Sequence, residues 1–427
     1  MREQMTVLGR QAREASRALA GLTADEKDRC LRAMADSLES AVPVLVEANR
    51  RDLEVGRGLG LSGAMLDRLA LDEARIRAMS QGLREVADLP DPVGRVLDER
   101  TRPNGLRLVK VAVPIGVIVI IYESRPNVTA EAASLCFKTG NATILRGGKE
   151  ALNSNRFIAD TLVSAGRRVL GDRFPSHAIQ LVGTTDREAV PELLALTEYV
   201  DLCMPRGGEG LIRAVTACSR VPVIKHYKGV CHVYVHAAAD LQMAEDIVFN
   251  AKCQRPSTCN AAETLLVDRS IAGGFLPCMA SRLAGKNVGF HADSDSMPLI
   301  RFGIGNRTST VREATDADFS TEYNDYILNV RLVDGLDEAV AHIRKHGSAH
   351  SDAIVTGDAA VAERFLREVD SAAVYWNAST RFTDGREYGM GAEIGISTDK
   401  IGARGPMGLE ELCSYKWIGY GTGHVRG

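Results

Sequence analysis

The sequence predicts an α/β fold, and three features of its pattern carry that prediction. Short continuous apolar segments alternate with helical segments from about residue 114 to 235, and a second such series runs from about 231 to 385. Continuous apolar strands of this kind are typical of a parallel sheet that helices cover on both faces. The first 90 or so residues have helical periodicity throughout. The 427 residues exceed the size of one simple core, so we expect two or three domains.

The individual elements are predicted from local composition. Helices are expected over 129–139 and 154–170, and an amphipathic helix over 240–250. Short apolar runs predict strands at 117–121, 142–145, 179–182, 202–204, 221–224 and 261–267.

A hairpin and a tail strand complete the predicted elements. Pro103-Asn104-Gly105 lies between two short runs, and Asn-Gly is a strong hairpin signal. The hairpin follows a helical region, so it is either an oligomer contact or a surface ribbon. The tail segment 415–420 also has the pattern of a strand, which we expect to pair across subunits.

Composition excludes several classes of function. The 52 basic and 55 acidic residues leave a net charge of −3, which gives no indication of binding to nucleic acid or a membrane surface. The nine cysteines form no CxxC pair and no zinc-finger spacing, so we predict a reducing compartment and no metal site. The N-terminus mixes arginines with glutamates and lacks the apolar region of a signal peptide. The longest apolar run, 111–122, contains Pro114 and is too short to span a bilayer. A soluble, cytoplasmic protein is expected.

Cys259 is the strongest candidate for a catalytic nucleophile. It follows a Pro256-Ser257 turn and directly precedes the apolar strand 261–267. A turn exposes the sulfur and a strand holds it rigidly, which suits a nucleophile. Local pattern alone leaves a second interpretation open, a packed and inert cysteine, because thiols are often buried.

Three glycine-rich segments are candidates for nucleotide sites. The segment 58–63 matches GxGxxG, but a helix precedes it where the dinucleotide motif requires a strand, so we predict a loop. The turns Arg146-Gly147-Gly148-Lys149 and Pro205-Arg206-Gly207-Gly208 each follow a predicted strand. Strand carboxyl ends are where open α/β sheets bind nucleotides, and glycines let backbone N–H groups approach a phosphate. These two turns are therefore the predicted nucleotide site.

Several longer motifs together resemble the aldehyde dehydrogenase superfamily over essentially the whole chain. They are Val113-Pro114-Ile115-Gly116-Val117, Tyr122-Glu123-Ser124-Arg125-Pro126-Asn127-Val128, Gly140-Asn141-Ala142, Arg146-Gly147-Gly148-Lys149, Pro205-Arg206-Gly207-Gly208, His226-Tyr227-Lys228-Gly229 and the segment around Cys259. The resemblance implies a Rossmann-type cofactor domain over 1–97 and 114–230, joined by 386–411. It also implies an α/β catalytic domain over 231–385 and a β oligomerisation arm formed by 98–113 and 412–427.

The resemblance also assigns roles to residues. It makes Cys259 the nucleophile, and it places the turn that holds the adenosine ribose on Arg146 to Lys149. Lys149 stands where many NAD-using members have a glutamate. A carboxylate would repel a 2′-phosphate, whereas Arg146 and Lys149 would attract one, so NADP(H) is the expected cofactor.

The implied reaction is reductive. His226 stands where hydrolytic members keep the glutamate that activates water, so the resemblance points to the branch that reduces an acyl phosphate. The expected chemistry is NADPH-dependent reduction of L-glutamyl 5-phosphate to glutamate 5-semialdehyde in proline biosynthesis. Backbone N–H groups of Cys259 and Asn260 are candidate oxyanion donors. The candidate substrate contacts are Ser124, Arg125, Asn127, Lys225, His226, Lys228 and Arg255.

Alternatives and partners follow from the same resemblance. The rival enzyme is a hydrolytic NAD(P)-dependent aldehyde dehydrogenase, and the rival of another class is a catalytically silent nucleotide-binding protein on the same scaffold. The expected partners are a small-molecule substrate and further copies of the chain. Association with glutamate 5-kinase, which would make the unstable acyl phosphate, stays an open question.

Overall fold

The computed structural model describes residues 1–426. Contacts between backbone positions divide the chain into two compact units. The first unit comprises 1–225, 389–395 and 407–427, and the second comprises 226–388 and 396–406. Both units are discontinuous in sequence.

The first unit begins with five helices, as the periodicity of the first 90 residues predicts. Thr23 begins the second helix with a capping box, in which its side chain and that of Glu26 each accept from the other's backbone N–H. Ser62 and Asp72 cap the fourth and fifth helices. The segment 58–63 runs from the last residue of the third helix to the first residue of the fourth, and a loop joins the two helices there, as expected. The helices are α1 (Arg2–Leu19), α2 (Ala24–Ser40), α3 (Val42–Gly58), α4 (Gly63–Leu69) and α5 (Glu73–Asp88).

The predicted hairpin is confirmed. Strands β1 (Val96–Thr101) and β2 (Arg107–Pro114) pair antiparallel. Gly105 has a φ of 88°, a backbone conformation that favours glycine, and this explains the Asn-Gly signal at the turn.

A four-stranded parallel sheet follows, with the order β5-β4-β3-β6. The chain places β4 and β5 on one side of β3 and then returns to place β6 on the other side. The carboxyl ends of β3 and β6 therefore lie at a topological switch point, where open α/β sheets bind ligands. The elements are β3 (Val117–Tyr122), α6 (Asn127–Lys138), β4 (Ala142–Arg146), α7 (Leu152–Leu170), β5 (Ile179–Leu181), α8 (Ala189–Leu194), β6 (Leu202–Arg206) and α9 (Glu209–Cys218).

One predicted strand of this unit is wrong. Residues 221–224 form only an isolated bridge, between Val223 and Cys203. The Pro222 carbonyl accepts from Cys203 N at 2.9 Å, but Pro222 has no N–H to continue a ladder.

The second unit is a seven-stranded sheet with the order β10-β9-β11-β8-β7-β12-β13. All its pairs are parallel, as continuous apolar strands predict. Its elements are β7 (Cys231–Val235), α10 (Leu241–Cys253), β8 (Ala262–Asp268), α11 (Ala272–Ala284), β9 (Gly289–Ala292), α12 (Met297–Ile304), β10 (Val311–Glu313), β11 (Ile327–Val333), α13 (Leu336–His346), β12 (Ser351–Val355), α14 (Ala359–Glu368) and β13 (Ala373–Trp376).

Helices cover both faces of this second sheet. On one face Phe275 of α11 packs in a cluster with Leu265 of β8. On the other, Phe365 of α14 packs in a cluster with Tyr234 and Leu266. All five of these side chains are buried, and removing this apolar surface from water holds the helices on the sheet. The central strands β7 and β8 are therefore rigid, and they fix the ends of the loops that precede them.

Three short strands lie near the C-terminus: β14 (Gly395–Ser397), β15 (Gly405–Met407) and β16 (Cys413–Tyr420). The tail segment 415–420 is a strand, as predicted, and β16 pairs antiparallel with β2 of its own chain. Pairing of this strand across subunits stays a prediction. The hairpin and tail thus form one three-stranded sheet, β1-β2-β16. Among residues 1–426, no helix combines the length and apolar character needed to cross a bilayer.

Candidate active site

Cys259 lies at the amino end of β8, in a short loop between α10 and that strand. The loop is fixed by local hydrogen bonds: Thr258 Oγ1 donates to the Arg255 carbonyl at 2.9 Å, and Ala261 N donates to the Thr258 carbonyl at 3.0 Å. Cys259 is partly exposed, whereas Cys253 at the end of α10 is buried. Burial raises the pKa of Cys253 to about 11, so that thiol is inert at neutral pH. The turn and strand therefore present one of the two thiols, as the sequence predicts.

The neighbouring strand braces the backbone of Cys259. Cys231 Sγ, at the start of β7, donates to the Cys259 carbonyl at 3.2 Å. Gly229 approaches the same carbonyl so closely that an added Cβ atom would overlap with the Cys259 main chain. This contact explains why the His226-Tyr227-Lys228-Gly229 motif ends in glycine, since any side chain there would displace the thiol's support.

Two histidines lie beside the thiol. One ring nitrogen of His226, one of His350 and Cys259 Sγ all lie within 4.8 Å of one another. His226 precedes β7, and His350 directly precedes β12, so the three residues occupy the amino ends of three neighbouring parallel strands. Burial, and next the charge of His226, lower the pKa of His350 to about 3, which keeps its imidazole neutral at physiological pH.

Asn260 ties the thiol loop to the segment 379–383. Its side-chain Nδ2 donates to the Thr383 carbonyl at 2.9 Å, and its own carbonyl accepts from Thr380 Oγ1 at 2.7 Å. Its Oδ1 lies 2.9 Å from Thr258 Oγ1 and accepts from Arg381 Nη1. The Asn260 side chain is thus occupied in holding the loop, and its candidate catalytic contribution is the backbone N–H.

Arg381 brings a positive charge to the thiol. Its Nε donates to Gln254 Oε1 at 2.8 Å, which aims the half-buried guanidinium at the loop. Burial lowers the pKa of Arg381, while the nearby Asp384 and Cys259 raise it, and Arg255 lowers it. The Cys259 sulfur therefore lies within the electrostatic reach of Arg381, and cations nearby favour thiolate.

A chain of hydroxyl groups runs from His350 toward the surface. His350 Nδ1 and Ser351 Oγ are 2.9 Å apart, and Ser351 Oγ donates to Thr383 Oγ1 at 2.7 Å. Tyr375 links Thr383 to Tyr388 through contacts of 2.7 and 2.6 Å. These bonds fix the orientation of the His350 ring.

The predicted substrate contacts divide between the two units. Ser124, Arg125, Asn127 and Lys225 belong to the first unit, and His226, Lys228 and Arg255 to the second. Of these, His226 lies in the cluster with Cys259.

Several of the predicted substrate contacts are already engaged by protein groups, among them His226, whose Nδ1 lies 2.8 Å from the Ile396 carbonyl. Ser124 is buried, and its backbone and hydroxyl both donate to Glu150. Asn127 donates to Glu131 at 2.7 Å, and Lys228 donates to the Ser320 carbonyl at 2.6 Å. Arg125 and Arg255 have exposed side chains.

The two predicted nucleotide turns lie at the carboxyl ends of β4 and β6, on either side of β3. Lys149 is exposed at the start of a single 3-10 turn, Lys149–Ala151. The Arg146 guanidinium donates to the carbonyls of Gly147 and Thr185, and burial lowers its pKa. Arg187 adds a second positive charge near Arg146.

The second turn leads into α9. Pro205 and Arg206 end β6, and the Gly208 N–H donates to the Glu123 carboxylate at 2.9 Å. A Cβ atom at Gly207 would collide with the same carboxylate, whereas one at Gly208 would have no heavy atom nearer than 4.0 Å. Gly208 therefore has open space beside it at the start of α9, and the Glu123 carboxylate already accepts from its N–H.

Sequence reasoning missed His350 and Arg381. His350 directly precedes an apolar strand, as Cys259 nearly does, and that position was the available signal. Arg381 lies in a 3-10 turn, Thr380–Phe382, without a recognisable motif.

Comparisons with known proteins point to one family. Residues 2–303 match the model of the aldehyde dehydrogenase family. The chain is 50% identical to a gamma-glutamyl phosphate reductase of Halothermothrix orenii, over 100% of this chain and 99% of that protein. It is 43% identical to the crystal structure of gamma-glutamyl phosphate reductase from Thermotoga maritima, which superposes with a TM-score of 0.94 and covers 99% of this chain and 100% of that one. An acetylating aldehyde dehydrogenase from Geobacillus thermoglucosidasius, at 18% identity, TM-score 0.68 and coverage of 100% and 98%, shares the fold. The chain therefore belongs to the aldehyde dehydrogenase family and, within it, to the gamma-glutamyl phosphate reductases.

Proposed function

We propose that this chain catalyses the NADPH-dependent reduction of L-glutamyl 5-phosphate to L-glutamate 5-semialdehyde and phosphate, in proline biosynthesis, with Cys259 as nucleophile. The names of its relatives at 50% and 43% identity support the reaction. The observation that carries the mechanism is the position of Cys259, partly exposed at the end of a rigid strand and beside two imidazoles.

The first step is acyl transfer to sulfur. The Cys259 thiolate attacks the acyl carbon, the bond from that carbon to the phosphate oxygen breaks, and phosphate leaves with its electron pair. The positive charge of Arg381 near Cys259 favours the thiolate and attracts an anionic substrate. The product of this step is a thioester on Cys259.

Backbone N–H groups at Cys259 and Asn260 stabilise the oxyanion. The peptide group that carries the Asn260 N–H is held by Cys231 at the Cys259 carbonyl, and the one that carries the Cys259 N–H is held by Ala261 N at the Thr258 carbonyl. Donors fixed before the reaction need no reorganisation as charge develops, which is the main requirement of an oxyanion hole.

NADP(H) fits the residues at the carboxyl ends of β4 and β6. Exposed Lys149 would attract the 2′-phosphate, with positive charge from Arg146 and Arg187 nearby that the carboxylates of Glu150 and Asp186 partly offset. Gly208 leaves space for the pyrophosphate at the start of α9, and the Glu123 carboxylate that accepts from its N–H would have to turn away as the cofactor binds. When bound, the nicotinamide supplies the hydride that reduces the thioester to the aldehyde.

His226 decides the fate of the acyl-enzyme. The side chains whose donor atoms cluster with the Cys259 sulfur are two imidazoles, His226 and His350. Because the His226 Nδ1 atom donates to the Ile396 carbonyl at 2.8 Å, its ring is fixed by the protein and not by a water. An enzyme without a carboxylate base at this position protects the thioester from hydrolysis, which separates it from the hydrolytic aldehyde dehydrogenases.

The test is the reverse reaction with glutamate 5-semialdehyde and NADP⁺. We expect NADP⁺ reduction to require inorganic phosphate, because phosphate is the nucleophile that releases the acyl group. A matched assay replaces phosphate with sulfate at equal ionic strength. Sustained turnover without phosphate, with glutamate accumulating, would show a hydrolytic dehydrogenase instead. Absence of turnover with every aldehyde and nucleotide tested, by folded protein, would favour a silent scaffold.

A further inference from the structure

Histidine and cysteine side chains are common ligands of transition metals such as zinc, and two histidines lie beside Cys259. We propose that His226, Cys259 and His350 form a binding site for Zn²⁺, which holds the Cys259 thiolate and reversibly switches the enzyme off. The proposal goes beyond the reaction proposed above, because metal binding by these three side chains does not depend on the substrate. Sequence spacing predicts no such site, since positions 226, 259 and 350 are far apart in the chain.

The ligand types and their separation suit zinc. Two imidazole nitrogens and one sulfur, all within 4.8 Å of one another, are three of the four ligands of a tetrahedral site. Bond lengths to zinc place neighbouring ligands about 3.3–3.7 Å apart, so the side chains need to close by roughly an ångström. Three protein ligands leave a fourth position for water, the arrangement of an open zinc site.

The outer contacts of both histidines orient them as ligands. A histidine bound to a metal through one ring nitrogen usually donates the other N–H to a carbonyl or similar acceptor. His226 Nδ1 donates to the Ile396 carbonyl at 2.8 Å, and His350 Nδ1 lies 2.9 Å from Ser351 Oγ. The Nε2 atoms are therefore the inferred ligand positions on both rings.

His350 supplies an independent observation. Its side chain is fully buried, and Nε2 has no hydrogen-bond partner among the described residues. An unsatisfied buried polar atom costs stability, so its presence calls for a ligand or another functional reason. A zinc ion bound between His350 and Cys259 would satisfy it.

Binding would be moderate and would block catalysis. Zn²⁺ binds the deprotonated sulfur, so the S–H bond breaks, an S–Zn bond forms and one proton is released. The positive charge of Arg381 near Cys259 opposes the dication and weakens the site. A sulfur bonded to zinc is no longer available to attack an acyl carbon, and a chelator would restore it.

The primary test is spectroscopic, with untagged protein and Co²⁺ alone as the probe. We expect one equivalent of Co²⁺ to produce a thiolate-to-cobalt charge-transfer band and tetrahedral ligand-field bands, and Zn²⁺ to remove them by displacement. His226→Asn and His350→Asn keep a polar group near the Nδ1 position and delete Nε2. Each should weaken Co²⁺ binding by about 10–100-fold or more, and Cys259→Ser should remove the charge-transfer band.

His236→Asn is the matched control. His236 lies outside the cluster, with its Nδ1 2.9 Å from Thr356 Oγ1, and its substitution should change neither the bands nor the affinity. Absence of a charge-transfer band in the wild-type protein would overturn the proposal, as would equal Co²⁺ binding by the His350→Asn variant.

Alkylation provides a second test that needs no histidine variant and no substrate. Zn²⁺ should protect Cys259 from iodoacetamide at least tenfold, and EDTA should reverse the protection, while the exposed Cys278 stays reactive throughout. Equal alkylation of Cys259 with and without Zn²⁺ would contradict the site. Because both tests read metal binding and not turnover, they distinguish failure of this proposal from failure of the proposed reaction.

Discussion

Gly229 lies against the main chain of Cys259 with no room for a side chain between them. A Cβ atom at Gly229 would overlap with the Cys259 carbonyl oxygen, a backbone atom that also accepts a hydrogen bond from Cys231. The position of Cys259 is therefore set by a backbone contact with the segment that leads into β7, and not by its own loop alone.

The first prediction is that Gly229→Ala disables the enzyme without unfolding it. The added methyl group must push the Cys259 peptide away from its position, and small misplacements of a nucleophile cost about 100-fold in rate. The measurement is kcat, together with thermal unfolding. Gly274→Ala is the control, because nothing lies within 4 Å of a Cβ there and an alanine in helix α11 is favourable. Full activity in Gly229→Ala would show that the contact is not needed.

A second prediction separates the two neighbouring thiols. Cys259→Ser should abolish turnover while retaining cofactor binding, because a hydroxyl is a far weaker nucleophile at neutral pH and a poorer leaving group. Cys253→Ser should retain activity, since that buried thiol has a pKa of about 11 and faces the core. Steady-state rates with both variants check this, and comparable losses in the two would remove Cys259 from its assigned role.

The third prediction concerns cofactor choice. The native enzyme should prefer NADPH to NADH, and Lys149→Glu should reduce that preference by about one to two decades, the value of one charge-assisted phosphate contact. Arg167→Glu makes the same charge change near the other end of the 19-residue helix α7, about 28 Å away, and should leave the ratio unchanged. Titration of both nucleotides measures the ratio. Equal use of NADH and NADPH by the native enzyme would contradict the assignment.

A fourth prediction concerns acid stability and His342. Burial is the main reason its pKa falls to about 2, with His232, His346, Arg331 and Lys345 adding positive charge. Below about pH 6.5 the unfolded chain binds a proton at His342 and the folded chain does not. The contribution of His342 to the free energy of unfolding is therefore fully present above about pH 6.5 and is lost progressively as the pH decreases. This one group contributes a slope of about 1.4 kcal/mol per pH unit between those values.

Replacing His342 with leucine should flatten that slope. Neither ring nitrogen of His342 has a hydrogen-bond partner among the described residues, so leucine also removes two unsatisfied atoms and should not destabilise the fold at pH 7. Denaturant unfolding at pH 7, 6 and 5 gives both slopes. Identical pH dependence in the two proteins would show that His342 is not the titrating group.

The fifth prediction tests the β1-β2-β16 sheet as an oligomer contact, a role that we propose and that its pairing within one chain does not decide. Tyr415 and Trp417 of β16 are 53% and 45% exposed, and Lys110 and Arg100 lie over their rings. Trp417→Glu should place a charge on this surface and lower the molar mass measured by light scattering. An unchanged molar mass would show that this surface does not form an oligomer contact.

The strands of the first sheet are predictable from sequence because their segments are mostly apolar. Their order is not, since the chain returns past β4 to pair β6 with β3. Cys259 was also predictable, since turn and strand are adjacent in the chain. His350 and Arg381 were not. Their proximity to Cys259 depends on β7 and β12 being neighbours in the sheet, which no local pattern encodes. The rule that open α/β sheets bind ligands at strand carboxyl ends also fails to predict this site, which lies at the amino ends of β8, β7 and β12. At 221–224, apolar character predicted a strand that Pro222 prevents.

The pairing of β16 with β2 has a consequence for how the protein is made. The hairpin leaves the ribosome well before β16, the strand that covers one of its edges. Until β16 is synthesised, β2 therefore has one unpaired edge, which is a template for association with other nascent chains. Charged residues on β1, among them Asp98, Glu99 and Arg100, make the opposite edge a poor template. A chain truncated before residue 413 would lack β16 and keep this edge of β2 exposed permanently.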